Sequence, residues 1–255
     1  MEYTHLSNTL QVKTVSEDVR RGVFEIEGLY TGYGLSLGNA LRRALLSSLP
    51  GAAVTQCKVK NVSHEFATLP GVKEDMVEFA LNLKNLRFRM HINEPRVLTL
   101  KAKGVREVTG ADLEIDEQVE VLTPDVVLAT LTSKEAELDA EITVERGLGY
   151  SAVESRETQK LPVGVLAVDA FFSPVVKTNY TIDHMRVGER TDFDRLRIEI
   201  ETDGTISPSA ALHKAANTLK DHFEKVSLVA VKEFEVAAVK AEGKKGRRNK
   251  KAVNE

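Results

Sequence analysis

The amino-acid sequence predicts an α+β protein in which helical regions flank a β-rich middle. An apolar pattern of helical period covers about residues 36–49, and a longer one begins at Pro208. Between them, from about 52 to 158, short runs alternate apolar and polar residues, as strands do when one face of a sheet meets water. The pattern changes at Pro50-Gly51 and again near Pro174. These breaks set the β-rich region apart from the rest of the chain.

The first half of the chain predicts a strand, a helix and then more strands. VFEIEGLY (23–30) alternates as a strand, and the helix of 36–49 stops at Pro50-Gly51. LRFRMHI and ELDAEITVE follow as strands with period two. Their predicted inward residues are Leu86, Phe88, Met90 and Ile92 in the first and Leu138, Ala140, Ile142 and Val144 in the second.

Two further helices are expected. Residues 71–86 predict one inside the β-rich region, with Met76, Val77, Phe79, Ala80 and Leu83 facing inward. RLRIEIETDGTISP predicts a strand, a turn at Asp203-Gly204 and a helix start at Ser207-Pro208. That helix runs to about Val231 because apolar residues recur at steps of three and four, namely Leu212, Ala215, Ala216, Leu219, Phe223 and Val226.

Composition restricts the class of protein. The 255 residues are 42% hydrophobic and 29% charged, which is typical of a globular protein with a sizeable core. No apolar run approaches the roughly 20 residues of a membrane-spanning helix, and no secretory signal is apparent at the N-terminus. Cys57 is the single cysteine, so an internal disulfide is excluded and a reducing, cytoplasmic compartment is expected.

Charge is distributed unevenly along the chain. The net charge is −3, but residues 239–255 carry +5, so the preceding part carries −8. Only the tail could therefore bind nucleic acid, through KKGRRNKK. We expect this tail to be disordered and to serve either for solubility or for weak, nonspecific contact with DNA. Its six basic residues are Lys244, Lys245, Arg247, Arg248, Lys250 and Lys251.

GYGLSLG, at residues 32–38, follows a strand and opens a helix, which is the setting of a nucleotide-binding turn. The spacing of Gly32, Gly34 and Gly38 does not match the dinucleotide fingerprint, and no acidic residue occurs between Glu27 and Glu65 to bind a ribose. A nucleotide-binding protein therefore remains only as an alternative hypothesis.

The helix after this turn has two different sides. Leu37, Ala40, Leu41, Ala44, Leu45 and Ser48 share one side. Asn39, Arg42, Arg43 and Leu46 share the other. The second side is either a solvated face or a contact face, since arginine beside an apolar residue is common at interface centres.

No catalytic, metal-binding or cofactor-binding set is predicted. HEFAT (64–68) lacks the second histidine of a zinc-protease helix, and the six histidines have no ligand spacing. Asp192 and Asp194 suit turns or caps better than a cation site. Cys57 has no activating neighbours in the sequence, and no nucleophile elbow is present.

Several longer stretches together resemble the bacterial RNA polymerase α subunit. They are GYGLSLGNALRRALLSSLPG, HEFATLPGVKEDMVEFALNLKNL, RGLGYSAVE, VDAFFSPVVKTNY and RTDFDRLRIEIETDGTISPSAAL. The resemblance covers residues 32 to 212 in the family's order. It is similar to eubacterial rather than plastid members.

The resemblance implies a two-part α/β dimerisation domain, 1–50 plus 175–238, interrupted by a β-rich insert domain, 51–174, and followed by the tail, 239–255. It also implies a homodimer in which the first and last helices pack against their copies. The α dimer residues would be Leu37, Leu41, Leu45, Leu212, Leu219 and Phe223.

In this family the α dimer is the platform on which β, β′ and ω assemble, and sigma factor joins through the complex. Such a chain is a non-catalytic part of the nucleotidyltransferase, since its Mg²⁺ is bound by β′. The positions matching β contacts are Arg43, with Asn39 and Arg42 beside it, and His64, Glu65, Phe66, Gly71, Val72, Lys73, Glu74 and Asp75. Those matching β′ contacts are Leu46, Lys84 and Val168.

The resemblance stops at the tail. Most α subunits continue into a C-terminal domain that contacts upstream promoter DNA, and nothing in this sequence resembles it. Natural absence and a shortened sequence are both compatible with this, and promoter or activator contacts are not predicted.

Overall fold

The computed structural model of the protein describes residues 9–156, 162 and 164–230. Within them lie fifteen strands and three α-helices, with short 3-10 turns at Gly110–Asp112 and Glu154–Arg156. In chain order they are β1 (Gln11–Glu17), β2 (Arg21–Leu29), α1 (Tyr33–Ser47), β3 (Pro50–Val59), α2 (Met76–Leu83), β4 (Phe88–Met90), β5 (Arg96–Lys103), β6 (Arg106–Thr109), β7 (Leu113–Glu114), β8 (Val119–Val121), β9 (Val127–Leu131), β10 (Glu137–Leu148), β11 (Tyr150–Ser151), β12 (Val165–Ala167), β13 (Ala170–Phe171), β14 (Val175–Val187), β15 (Arg190–Thr202) and α3 (Pro208–Ser227).

One part of the chain is an antiparallel sheet of order β1-β2-β15-β14 covered by α1 and α3. We call it the four-stranded unit, residues 11–49 and 175–227. Register pairs Phe24 with Ile198 and Ile26 with Leu196, so the alternating residues of β2 and β15 reach the same face. That face packs under the two helices to form the core of this unit.

The other part is a sheet of order β7-β5-β10-β3-β4-β8, with β12 also paired to β3 and two small two-stranded sheets beside it. We call it the seven-stranded unit, residues 50–171. Its central strand β10 buries Leu138, Ala140, Ile142 and Val144 against α2 and the neighbouring strands, as its period-two pattern predicts. The mixture of these sheets with three helices confirms the α+β fold.

The start of α3 follows the predicted signal. Ser207 lies in extended backbone, its side chain accepts a hydrogen bond from the Ala210 N–H, and Pro208 occupies the first helical turn. The helix ends at Ser227, four residues before the predicted end.

The helix predicted at 71–86 is wrong in extent. α2 has only eight residues and begins at Met76, because the Asp75 side chain accepts the Glu78 N–H and caps it there. Gly71 has a positive φ of 77°, which a helix cannot contain. Val77, predicted to face inward, is exposed, whereas Met76, Phe79 and Leu83 are buried.

The predicted strand LRFRMHI is also shorter, since only Phe88–Met90 are paired. Leu86, Phe88 and Met90 are nevertheless buried, as their alternation predicts. The domain limits stay predictions. The tail 239–255, with its six basic residues, lies outside the described residues.

Candidate protein-contact surfaces

The first helix is anchored at its N-terminus by a residue far away in the chain. Gly32 precedes α1 with a φ of 85°, and no local side chain caps the helix. Instead, Asp194 Oδ2 accepts the N–H groups of Gly32 at 2.8 Å and Gly34 at 3.2 Å. A carboxylate at this position satisfies free amides and complements the helix dipole.

The same contact argues against nucleotide binding at the glycine turn. A phosphate would need the N–H groups of Gly32 and Gly34, and the Asp194 carboxylate already accepts both. Gly38 serves packing: a Cβ there would lie 2.9 Å from the side chains of Leu196 and Tyr180. The glycines therefore allow the turn and bring α1 close to β14 and β15.

The arginine-bearing side of α1 is open to solvent. Asn39 and Arg43 are exposed, and Arg42 and Leu46 are half-buried. Arg42 Nη2 donates a hydrogen bond to Asn39 Oδ1 at 3.4 Å, whereas among the described residues Arg43 makes no side-chain hydrogen bond or ion pair. Its five donors are thus available to a partner.

Next to this side, an apolar groove of about 750 Å³ opens between α1, α3 and the adjoining faces of β1 and β2. Phe223 on its wall is 66% exposed. The apolar residues that line it include Phe24, Ile26, Leu37, Leu41, Leu212, Leu219 and Phe223.

Of the six leucine and phenylalanine positions predicted for the α dimer, the structure buries two, Leu45 and Leu41, although Leu41 still lines the groove. Leu45 is 0% exposed and packs wholly inside the core of its own chain, so its side chain offers no surface to a partner. Leu41 is nearly as buried and forms only part of the groove floor. Both lie on the side of α1 that faces the sheet of its own chain. Helical spacing alone does not tell such a side from one that contacts a partner.

The predicted contact loop before α2 is partly exposed and partly committed internally. His64, Glu65 and Lys73 are exposed, and Phe66 is 75% exposed. An aromatic side chain so far from any core is a common anchor at interfaces. This loop therefore presents one apolar residue among polar ones.

The other residues of the predicted contact segment make hydrogen bonds within their own chain. Glu74 is 8% exposed, and its carboxylate accepts the Thr130 N–H at 2.6 Å and the Thr130 hydroxyl at 2.9 Å. The carboxylate is thus used inside the chain, and its predicted contact with β stays a prediction. Asp75 caps α2, while Gly71 and Val72 are half-buried and bonded through their backbone to Thr132 and Leu69.

Another groove, of about 390 Å³, lies beside α2. Lys84 lines it and forms an ion pair with Asp169 at 2.8 Å. The hydrogen bond from Lys84 lowers the pKa of the Asp169 carboxyl, as does the N–H of Val153. Leu46 is half-buried on α1. Of the three predicted β′ contacts, Lys84 and Leu46 therefore have partly accessible side chains.

Val168 lines the same groove, but its side chain is only 3% exposed and belongs to the core of the seven-stranded unit. A direct side-chain contact with β′ is therefore not supported. Val77 and Leu81, exposed on α2 and bordering this groove, were not predicted. Their i, i+4 spacing, offset from Met76, Phe79 and Leu83, is the signal that could have identified them.

Within the described ranges, no group of three or more His, Cys, Asp or Glu side chains is arranged to hold a metal ion. The segment 64–68 is a loop and not a zinc-protease helix. Asp192 is held by Arg190, whose hydrogen bonds lower its pKa to about 2. Burial raises the pKa of the Cys57 thiol to about 12, so it is a protonated core residue near neutral pH.

No helix in the described part of the chain combines the length and apolar character needed to cross a bilayer.

Comparison with known proteins identifies the family. Residues 57–173 match the family model described as RNA polymerase Rpb3/RpoA insert domain. The chain is 50% identical over 215 residues to the DNA-directed RNA polymerase subunit alpha of Symbiobacterium thermophilum, covering 84% of this chain and 68% of that protein. It is 44% identical over 238 residues to the subunit alpha of Alkaliphilus oremlandii, covering 92% and 75%. The chain therefore belongs to the family of bacterial DNA-directed RNA polymerase α subunits.

Proposed function

We propose that the chain forms a homodimer and that this dimer is the platform on which the β and β′ subunits of RNA polymerase assemble. The observation that carries the proposal is the apolar groove between α1 and α3, about 750 Å³ and lined almost entirely by apolar side chains. An opening of this size on a monomer is characteristic of a protein interface.

A second copy of the chain is the occupant that fits best. Exposed apolar side chains continue from the groove to the end of α3 and past it: Phe223 on the groove wall, then Val226, Leu228 and Val229. One chain thus has both an apolar groove and a protruding apolar helix end. In a two-fold symmetric dimer each copy can place its helix end against the groove of the other, which closes both surfaces at once.

The surfaces proposed for the large subunits are the adjoining side of α1 and the region around α2. Arg43 on α1 and Phe66 in the loop before α2 are exposed and suit contact with the β subunit. The α2 groove, with Lys84, Val77 and Leu81, suits contact with β′. In this proposal the chain supplies binding surfaces and no catalytic residue, and the Mg²⁺ of the reaction belongs to β′.

Light scattering of the purified chain, alone and after mixing with purified β subunit, tests both parts. We expect the chain alone to have the mass of a dimer, and the mixture to contain one β per two copies. A monomer that does not bind β would refute the proposal. A rise in melting temperature with ATP or NAD would instead support the nucleotide-binding alternative.

Arg43→Ala tests the role of α1 in that experiment. We expect the variant to remain a dimer and to bind β more weakly, because a guanidinium that bridges several partner oxygens is lost. Arg42→Ala is the comparison within the same helix: Arg42 is also predicted to contact β, but it is half-buried and bonded to Asn39, so we expect a smaller loss of affinity than for Arg43→Ala. Equal affinity of the Arg43 variant and the unaltered chain for β would remove Arg43 from the interface.

A further inference from the structure

The four-stranded and seven-stranded units are joined by two arginines that reach from one to the other. Arg89, on β4, donates from Nε and Nη2 to the backbone carbonyl of Thr205, at 3.3 and 3.1 Å. Arg87 Nε lies 3.7 Å from Asp203 Oδ2. Both acceptors belong to the loop that links β15 to α3. We call this set of four residues the arginine clamp.

The loop that receives the arginines is itself ordered. Asp203 Oδ1 accepts the Thr205 N–H at 2.9 Å and the Thr205 hydroxyl at 2.6 Å. The Asp203 N–H donates to the carbonyl of Pro174, which lies in the connection between the units. The carboxylate therefore uses one oxygen to shape the loop and presents the other to Arg87.

Apolar packing contributes little to the relative orientation of the units. Their two large core clusters have no member in common. A third, small cluster of the described residues, Ala53, Ala170 and Phe172, lies next to the connection between the units. Hydrogen bonds are directional, so the clamp restricts rotation at the junction in a way that three apolar side chains do not.

The clamp also touches one candidate partner surface. Arg87 Nη1 donates to the carbonyls of Lys84 at 2.8 Å and Leu86 at 3.2 Å, at the end of α2. One guanidinium thus connects the helix that carries Lys84 with the unit that carries Arg43. Arg89 is fixed on its other side by Glu120, 2.9 Å from Nη1.

We propose that Arg87 and Arg89 are positioning residues, which set the spacing between Arg43 of the four-stranded unit and the Phe66 loop of the seven-stranded unit. The consequence for subunit binding rests on the proposed function, which assigns both of these surfaces to the β subunit; the effect on geometry does not. A partner that touches both surfaces needs them at a fixed separation, since freedom at the junction must be lost on binding.

The separation can be measured with two spin labels on the full chain, at Lys101→Cys on β5 and Thr181→Cys on β14, with the labelled chain diluted into an excess of unlabelled chain so that only distances within one copy are recorded. Both positions are exposed, one in each unit. The native Cys57 is buried and its thiol stays protonated near neutral pH, so it does not take up label.

The test variant combines Arg89→Lys with Asp203→Asn. Lysine keeps the charge beside Glu120 but lacks the planar fork that holds the Thr205 carbonyl. Asparagine keeps the Oδ1 acceptor that shapes the loop and replaces the oxygen facing Arg87 with an amide NH2. Both changes therefore leave the local folds intact while removing the contacts between the units.

Arg106→Lys is the matched control. The Arg106 side chain is 42% exposed against 41% for Arg89, and its ion pair with Asp112, at 3.1 Å, stays inside the seven-stranded unit. We expect one narrow distance distribution in the unaltered chain and in this control. In the test variant we expect a broader distribution with its mean shifted by several ångströms.

Circular dichroism verifies that the variant is folded; should it not be, Arg89→Lys alone is the substitute, with the same expected broadening. An unchanged distance distribution in a folded variant would overturn the proposal. In light scattering with the β subunit, we expect the variant to dimerise normally and to bind β several-fold more weakly. If the unaltered chain bound no β, the proposed function would fail while the distance result would still decide the role of the clamp.

Discussion

The two units bury their apolar side chains in different ways. The seven-stranded unit encloses a large core between its sheet, α2 and the smaller sheets. The four-stranded unit covers one face of its sheet with α1 and α3 but leaves the groove between the helices open. The core of the first unit is closed among the described residues, whereas the second leaves an apolar groove that the proposed second copy would cover. Changes in the two units should therefore affect different quantities, stability in one and association in the other.

The largest expected effect is on the closed core. Phe79→Ala removes an aromatic side chain that is fully buried under the sheet, and we expect a loss of about 3–5 kcal/mol in the free energy of unfolding. Urea denaturation followed by circular dichroism measures it. Phe223→Ala is the paired control, because Phe223 is mostly exposed; it should change association and leave the unfolding of the seven-stranded unit unaltered. If both variants lost the same free energy of unfolding, the contrast between the closed core and the open groove would be contradicted.

The next effect concerns the open groove. Leu219→Glu places a carboxylate among apolar residues that the proposed partner copy covers, and burying an unpaired charge is strongly unfavourable. We expect monomers or aggregates in light scattering. Lys214→Glu, on an exposed position of α3 away from the groove, should leave the dimer intact. The melting temperature of the unaltered chain should also rise with protein concentration. A normal dimer mass for Leu219→Glu would exclude the groove as the interface.

A smaller effect is expected where α1 is anchored. Asp194→Ala leaves the part-buried N–H of Gly32 and the buried N–H of Gly34 without their acceptor, which should reduce stability by about 1–3 kcal/mol. Asp194→Asn retains one acceptor oxygen and should lose less. Hydrogen exchange at the two glycine amides provides the local measurement, with faster exchange in the alanine variant. Unchanged exchange would mean that the carboxylate does not hold the helix.

The local parts of the fold could be predicted from the sequence. The start of α3 at Ser207-Pro208 depends on two neighbouring residues, and the inward face of β10 depends on strict alternation. Such features need no knowledge of distant contacts. The family resemblance added the order of the stretches, and the comparisons with known proteins agree with it.

The features that sequence analysis missed depend on contacts between distant residues. The cap of α1 comes from Asp194, 160 residues away from Gly34. Glu74 is inward because Thr130 meets it across the fold, and α2 is short because Asp75 caps it where a longer amphipathic pattern suggested continuation. Leu45 and Leu41 show the same limit, since helical spacing identifies an apolar side but not whether it faces the chain's own sheet or a partner.

The smallest expected effect is on the pH dependence of stability, which is compared between the two units. The pKa of Asp169, in the connection beside the α2 groove, is lowered chiefly by the hydrogen bond from Lys84, and that of Asp192, in the four-stranded unit, is lowered to about 2 by Arg190. A carboxyl group with a lowered folded-state pKa stabilises the fold when ionised, and this contribution is lost as the pH falls through its ordinary value of 3.8 towards the lowered one.

Asp169→Asn should therefore lower stability at neutral pH by less than about 1 kcal/mol, because the ion pair is partly exposed. The difference between this variant and the unaltered chain should shrink below pH 3.8. Asp192→Asn is the control in the other unit; its difference should likewise shrink below pH 3.8 and be nearly lost at a pH of about 2. Urea denaturation across this range measures both. A difference for Asp169→Asn that stays constant down to the lowest pH would mean that packing of the side chain, and not its charge, holds Lys84 beside the α2 groove.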